Sequence, residues 1–214
     1  MKGDKYYDLG FAETAGASGM KILCLYANDC AVELWTWLKN QGNEIVQVKG
    51  QLDESWCKEQ NFDLTVSYTY PYLLRKGTIA ALNANVVNLH TSFLPYNRGA
   101  SPNIWSIIDD TPRGVTLHYI DNGVDTGDII SQCLVPIQKD ATLESSYKQL
   151  DQAGKKLFME SFEYYDYWNS MRKKSLGQGT FHTDKDFARL KTLFQDFDWT
   201  MEIDTFLRKV KYRR

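Results

Sequence analysis

The chain carries none of the glycine fingerprints that announce a bound phosphate. No GxGxxG follows its first apolar run and neither GxxxxGKS nor GxxxxGKT occurs, so a nicotinamide dehydrogenase or a P-loop enzyme would lack its phosphate cradle. A GxSxG nucleophile elbow is missing as well. Histidine is scarce: the three residues His90, His118 and His182 lie far apart, with no HExxH, and a zinc centre would need an unusual ligand set. The four cysteines, Cys24, Cys30, Cys57 and Cys133, form no CxxC pair and sit in stretches that read as core strands or helices. Neither a metal site nor a disulfide framework is suggested, and a reducing cytoplasm is the simplest home. An excess of one charge is also lacking, with 25 Lys and Arg against 27 Asp and Glu. That is not the footprint of a protein that lives on nucleic acid. No apolar run approaches the ~18 residues of a membrane helix, and the mean hydropathy of −0.45 predicts a soluble chain.

What is present is ordinary globular material: 214 residues, 43% hydrophobic and 24% charged, enough for one substantial core. Residues 1–19 end in small, flexible positions before Met20 and read as an extension or tag, outside fold reasoning. From Met20, short apolar runs alternate with helix-period stretches, the signature of a parallel sheet covered by helices. Strands are expected over 22–27, 44–48, 63–69, 85–90, 114–120 and 128–137. Asp29 is expected to cap a helix carrying Val32, Trp35 and Leu38, and Ser101-Pro102 to open another. A long helix from about Thr142 carries Leu143, Tyr147, Leu150, Leu157 and Phe162 on one face. Two units follow, 20–175 as the main domain and 176–214 as a tail packing on that core or on a dimer partner. Arg208, Lys209, Lys211, Arg213 and Arg214 read as a solvated chain end.

Chemistry concentrates at the end of the fourth strand. In Asn88-Leu89-His90 the amide and the imidazole are two apart and emerge side by side at the carboxyl edge, where open α/β sheets hold ligands. A strand-end histidine bonded to a loop explains the spacing equally well. The loop 121–127 offers Asp121 and Asp125, with Gly127 giving backbone freedom to turn a side chain inward. An Asp125 that reaches His90 is expected to raise the imidazole pKa and to accept a proton in turn. A loop aspartate satisfying local amides fits that composition as well.

The blocks NLHTSFLPYNRGASPNIW and GVTLHYIDNGVDTGDII, together spanning 88–130, closely resemble the 10-formyltetrahydrofolate-dependent formyltransferase family. That family includes the glycinamide ribonucleotide, methionyl-tRNA and sugar N-formyltransferases. FDLTVSYTY and LPYNRGASPN look most like the sugar N-formyltransferases, and QGTFHTDKDF is similar to their GTYH-like stretch. The resemblance implies an α/β, Rossmann-like, mostly parallel sheet with helices on both faces. Carried over by motif, it makes Asn88, His90 and Asp125 the catalytic set. It implies 10-formyltetrahydrofolate as cosubstrate without a metal, and a nucleotide-linked amino-deoxy sugar as acceptor, serving cell-surface polysaccharide such as lipopolysaccharide O-antigen. No nucleic acid or membrane partner is expected; a homodimer and a cytoplasmic location are.

The pterin would lie against Asp121, Gly123 and Leu94, while Tyr68, Phe93, Tyr96 and Arg98 would shape the substrate pocket. Arg98 serves equally well as a loop-stabilising ion pair. Tyr70, Trp105 and His118 read as packing residues. Thr91 departs from the family, where many relatives place proline after the histidine. The competing readings are a formyltetrahydrofolate hydrolase, which in relatives carries an N-terminal regulatory domain, the purine-pathway glycinamide ribonucleotide formyltransferase, which reads differently at Arg98-Gly99-Ala100, and a non-catalytic sugar-nucleotide binding module.

Overall fold

A strand that is apolar at every position needs cover on both faces, and that requirement organises the chain. The computed structural model describes residues 19–194 and 197–213, with the side chain of Arg213 left aside. The expected extension lies outside the described residues except for Gly19, as does Arg214. In order come β1 (Lys21–Leu25), α1 (Val32–Asn40), β2 (Glu44–Val48), α2 (Glu54–Gln60), β3 (Leu64–Ser67), α3 (Lys76–Ala81), β4 (Val86–His90) and the short β5 (Arg98–Gly99). Then follow α4 (Pro102–Ile108), β6 (Gly114–Tyr119), β7 (Ile129–Leu134), α5 (Leu143–Phe162), α6 (Trp168–Met171), β8 (Phe181–His182), α7 (Asp184–Thr192) and α8 (Ile203–Arg213).

Six strands form one sheet in the order β2-β1-β3-β4-β6-β7, and β5 and β8 make a separate ribbon. The first four are parallel, while β6 and β7 join antiparallel beside β4. Alternation sends Ile22 and Cys24 to one face with Val66, Val87, Leu89 and Leu117, where Leu34, Trp35 and Leu38 of α1 and Leu150, Leu157 and Phe158 of α5 cover them. Leu23, Leu25 and Val86 go to the other, under Cys57 of α2 and Ile79 of α3. Helices therefore lie on both faces of a mostly parallel sheet. A third cluster joins Ile104 and Trp105 of α4 to Leu190, Phe206 and Val210 of α7 and α8. Through it the tail packs on α4.

Local signals were met unevenly. Asp53 caps α2 by accepting from the Trp56 amide at 2.8 Å, and Thr142 with Ser145 closes a capping box on α5. Asp29 does not cap. It lies inside a short 3-10 turn, Asp29–Ala31, whose N-cap Asn28 makes no side-chain bond, and Lys49 holds its carboxylate at 2.6 Å. Ser101 sits before Pro102 as expected but takes a left-handed φ of 54° and makes no cap bond. No described helix is long and apolar enough to cross a membrane.

Phe206 is fully buried and stacks on Phe194 with ring centroids 5.4 Å apart. Phe206→Ala is expected to cost about 3–5 kcal/mol, read as a lower denaturant midpoint.

Candidate functional site

β4 ends on Asn88 and His90, and β6 beside it runs antiparallel with Asn88 opposite His118 and His90 opposite Thr116. Directly opposite residues share a face, so His118 stands next to Asn88. From the other side the loop after β6 delivers Asp125, itself in the left-handed region at φ 51°. Gly127 is needed for a different reason from the inward turn expected of it. A Cβ there would lie 1.8 Å from the Tyr119 carbonyl oxygen. Glycine lets the loop close on β6, and Asp125 makes the turn itself.

Asp125 is the hub. Its Oδ2 accepts from the Gly99 amide at 2.8 Å and lies 3.5 Å from His90 Nε2. Its Oδ1 lies 3.4 Å from Asn88 Nδ2 and 3.5 Å from His118 Nε2. His90 Nε2 also donates to the Asn97 carbonyl at 3.2 Å. His118 Nδ1 lies 2.8 Å from the Tyr119 carbonyl; a carbonyl only accepts, so Nδ1 carries a proton, and Nε2 lies 3.3 Å from Asn88 Nδ2. The structure thus brings the three motif residues together and adds His118, which the sequence assigned to packing. Strand parity was the available signal, since His118 alternates with inward Thr116, but the antiparallel register opposite Asn88 was needed to use it.

Burial sets the protonation. His90 is pushed below the ordinary histidine value by burial, which outweighs the pull of Asp125 in the other direction, and His118 adds to the lowering. The sequence expectation of a raised His90 is therefore reversed: loss of water costs the imidazolium more than one carboxylate returns. Burial also works to raise Asp125, but His90, His118 and the Gly99 amide outweigh it and hold its carboxyl well below the usual carboxylate range. At neutral pH the site holds a carboxylate, Asp125, facing a neutral His90.

Two cavities meet here. A cleft of about 990 Å³ is bounded by Asn28 beyond β1, Tyr68–Leu73 beyond β3, Asn88–Thr91, Gly99–Ile104, Val124, Asp125, Glu144, Tyr147, residues 181–184 and Trp199. A smaller one of about 100 Å³ has Ile120, Asp121, Gly123, Thr126 and His118 in its wall. Asn88, Val124 and Asp125 border both, at the carboxyl edge where such sheets bind ligands. Asp121 braces its own loop, accepting from the Gly123 amide at 2.9 Å and the Thr126 hydroxyl at 2.6 Å.

Among the other expected contacts, Tyr68 lines the large cleft but gives its hydroxyl to buried Asp151. Phe93, Leu94, Tyr96 and Arg98 line neither cavity. Leu94 is tied by its backbone to Thr116 and Gln132, and the Arg98 guanidinium rests 5.9 Å from the Phe181 ring centre, an aromatic rather than an ionic partner. Tyr70 lines both cavities, and Trp105 stacks on His182. The wall from Phe181 to Asp184 was not expected at the site, because a distant tail reaches it only through tertiary packing. No cluster of three or more His, Cys, Asp or Glu is arranged to hold a metal ion among the described residues.

Comparison with known proteins comes to the same place. A family model described as Formyl transferase matches residues 38–162. The chain is 33% identical over 138 residues to the dTDP-4-amino-4,6-dideoxyglucose formyltransferase of Mycobacterium bovis, a match covering 63% of this chain and 56% of that protein. It is 28% identical over 167 residues to the methionyl-tRNA formyltransferase of Agathobacter rectalis, covering 76% and 53%. The chain spans about half the length of these curated relatives. Among solved structures it resembles the formyltransferase PseJ from Anoxybacillus kamchatkensis, in complex with UDP-4,6-dideoxy-4-formamido-L-AltNAc and tetrahydrofolate. There the TM-score is 0.77 at 34% identity, covering 89% of this chain and 99% of that one.

His90 and Asp125 titrate lower in the folded chain than in the unfolded one, so the unfolded chain takes up protons first and stability falls with pH. The His90 contribution is fully present above the unfolded histidine value of about 6.5 and is lost below it. Urea midpoints should therefore drop between about pH 7.5 and about pH 5.5, and less so in His90→Gln.

Proposed function

The chain belongs to the formyl transferase family, and on that premise we propose that it moves a formyl group from 10-formyltetrahydrofolate to the free amine of a nucleotide-linked amino-deoxy sugar. The observation that carries this reading is the meeting of two cavities at one amide and one carboxylate, Asn88 and Asp125. A transfer needs donor and acceptor to approach a single carbonyl from different sides, and this junction offers that. The likeness to PseJ, whose complex contains a formamido sugar nucleotide and tetrahydrofolate, supports the substrate class. The folate pterin is assigned to the smaller cavity, walled by Ile120, Asp121 and Gly123. The sugar nucleotide is assigned to the large cleft.

As the amine nitrogen bonds to the formyl carbon, charge builds on the carbonyl oxygen. Asn88 Nδ2 and His90 Nε2 are donors whose present contacts, 3.2 to 3.5 Å, are long enough to be exchanged for a better acceptor. Asp125, ionised at neutral pH, takes the proton that the nitrogen sheds on bonding. It returns that proton, directly or through water, to the folate nitrogen that leaves with the C–N electron pair. A neutral His90 suits this division, because a permanent imidazolium would tie up the carboxylate.

Residues 20–175 are proposed as the catalytic domain with 176–214 as a tail serving the same site, 1–19 as an extension, and the protein as a cytoplasmic homodimer acting in lipopolysaccharide O-antigen synthesis. Incubation with 10-formyltetrahydrofolate and a panel of amino-sugar nucleotides should give tetrahydrofolate and one N-formyl sugar by mass spectrometry. Formate without a formylated sugar would identify a hydrolase instead. Asn88→Ala should lower turnover about 10²- to 10³-fold, and Asp125→Asn about 10²- to 10⁴-fold; equal rates in wild type and both variants would remove the catalytic assignment.

A further inference from the structure

Both His90 and Asp125 are gripped by one short segment, and that segment pairs with β8 in a ribbon separate from the main sheet. The Asn97 carbonyl takes the His90 Nε2 proton at 3.2 Å, and two residues on the Gly99 amide donates to Asp125 Oδ2 at 2.8 Å. Asn97 is fully buried and sits at a left-handed φ of 53°, a conformation that needs outside support. Thr111 supplies part of it, its hydroxyl accepting from Asn97 Nδ2 at 2.7 Å, and the tail holds the backbone amide and Oδ1 of Asn97. The Asn97 amide donates to Thr180 Oγ1 at 2.7 Å, and the Thr180 hydroxyl donates to Asn97 Oδ1 at 3.0 Å. The Arg98 amide bonds to the Thr180 carbonyl at 3.0 Å and the Ala100 amide to the His182 carbonyl at 2.9 Å, which closes the β5–β8 ribbon. The tail is brought in by Gly179, where a Cβ would meet the Pro95 carbonyl oxygen at 2.0 Å. It is pinned beyond the ribbon by His182, whose ring lies flat on Trp105 at 4.0 Å and whose Nε2 is 3.0 Å from Asp109 Oδ2.

We propose that Thr180 is a positioning residue for the transfer. Through Asn97 and Gly99 it fixes His90 and Asp125 relative to each other, so that the tail, which lies outside the matched range 38–162, is part of the catalytic apparatus. The hydroxyl suits this role because it makes both bonds of the clamp at once, accepting from the backbone and donating to the side chain of the same asparagine. The inference rests on the formyl-transfer reading for its kinetic readout but not for its spectroscopic one.

The test compares Thr180→Val, which keeps the shape and removes the hydroxyl, with Thr180→Ser, which keeps the hydroxyl. Thr180→Ala replaces the valine variant if its melting curve departs from wild type. Loss of the clamp should lower kcat about 10- to 10²-fold, the scale of a misplacement of about 1 Å, with the acceptor KM nearly unchanged, and serine should restore it. Independently, the His90 imidazole titration is followed by NMR. Asp125, His118 and the Asn97 carbonyl face this ring, and burial is what depresses it, so loosening the segment should move its midpoint upward in valine and back in serine. Wild-type kcat together with an unmoved His90 titration in Thr180→Val overturns the proposal. So does a loss that serine fails to restore, or one that appears in KM alone. If wild type formylates no member of the panel, the substrate reading falls, and the NMR comparison still decides the role of Thr180.

Discussion

An ionised carboxylate can be kept out of water only where donors replace the water it has lost. Asp125 is such a group, with its side chain 13% exposed, and the architecture around it follows from that need. One donor is a backbone amide from the β5 segment, another is the Asn88 amide at the end of β4, and two imidazoles stand close by on β4 and β6. None of these partners is a permanent cation. The charge is therefore held by polar groups that are free to respond when a neighbouring oxygen or nitrogen changes its charge.

The change of strand direction beside β4 shapes the site as well. The parallel strands β1, β3 and β4 deliver their carboxyl ends to the cleft, as in other open α/β sheets. The antiparallel β6 then places His118 directly opposite Asn88 and turns back through the 121–127 loop onto the same edge. The loop leaves β6 beside Val86 at the amino end of β4 and folds back far enough for Asp125 to reach Asn88 and His90.

The tail completes the design from outside the sheet. Its hydrophobic helices pack on α4 through Ile104, Trp105, Leu190 and Phe206, and the segment before them forms the ribbon with β5. Packing distant from Asp125 thereby bears on the backbone groups that bond to it and to His90. The price of this economy is dependence on the tail's docking.

Much of this was legible in residue order. Apolar runs with helical intervals pointed to a parallel sheet covered by helices, which holds for β1 to β4 but not for the antiparallel β6 and β7, and the two motif blocks pointed to Asn88, His90 and Asp125, because strand parity and local loop chemistry act over a few residues. Other features needed the third dimension. His118 gained its place from an antiparallel register, Asn97 and Gly99 act through backbone atoms that carry no side-chain signature, and Thr180 meets them across 83 residues of chain. The direction of the His90 shift depends on how much water the finished core removes. Sequence alone determined which groups are available and which local elements carry them. Tertiary structure decided which groups meet and in what charge state, since desolvation and long-range contact exist only once the chain is packed.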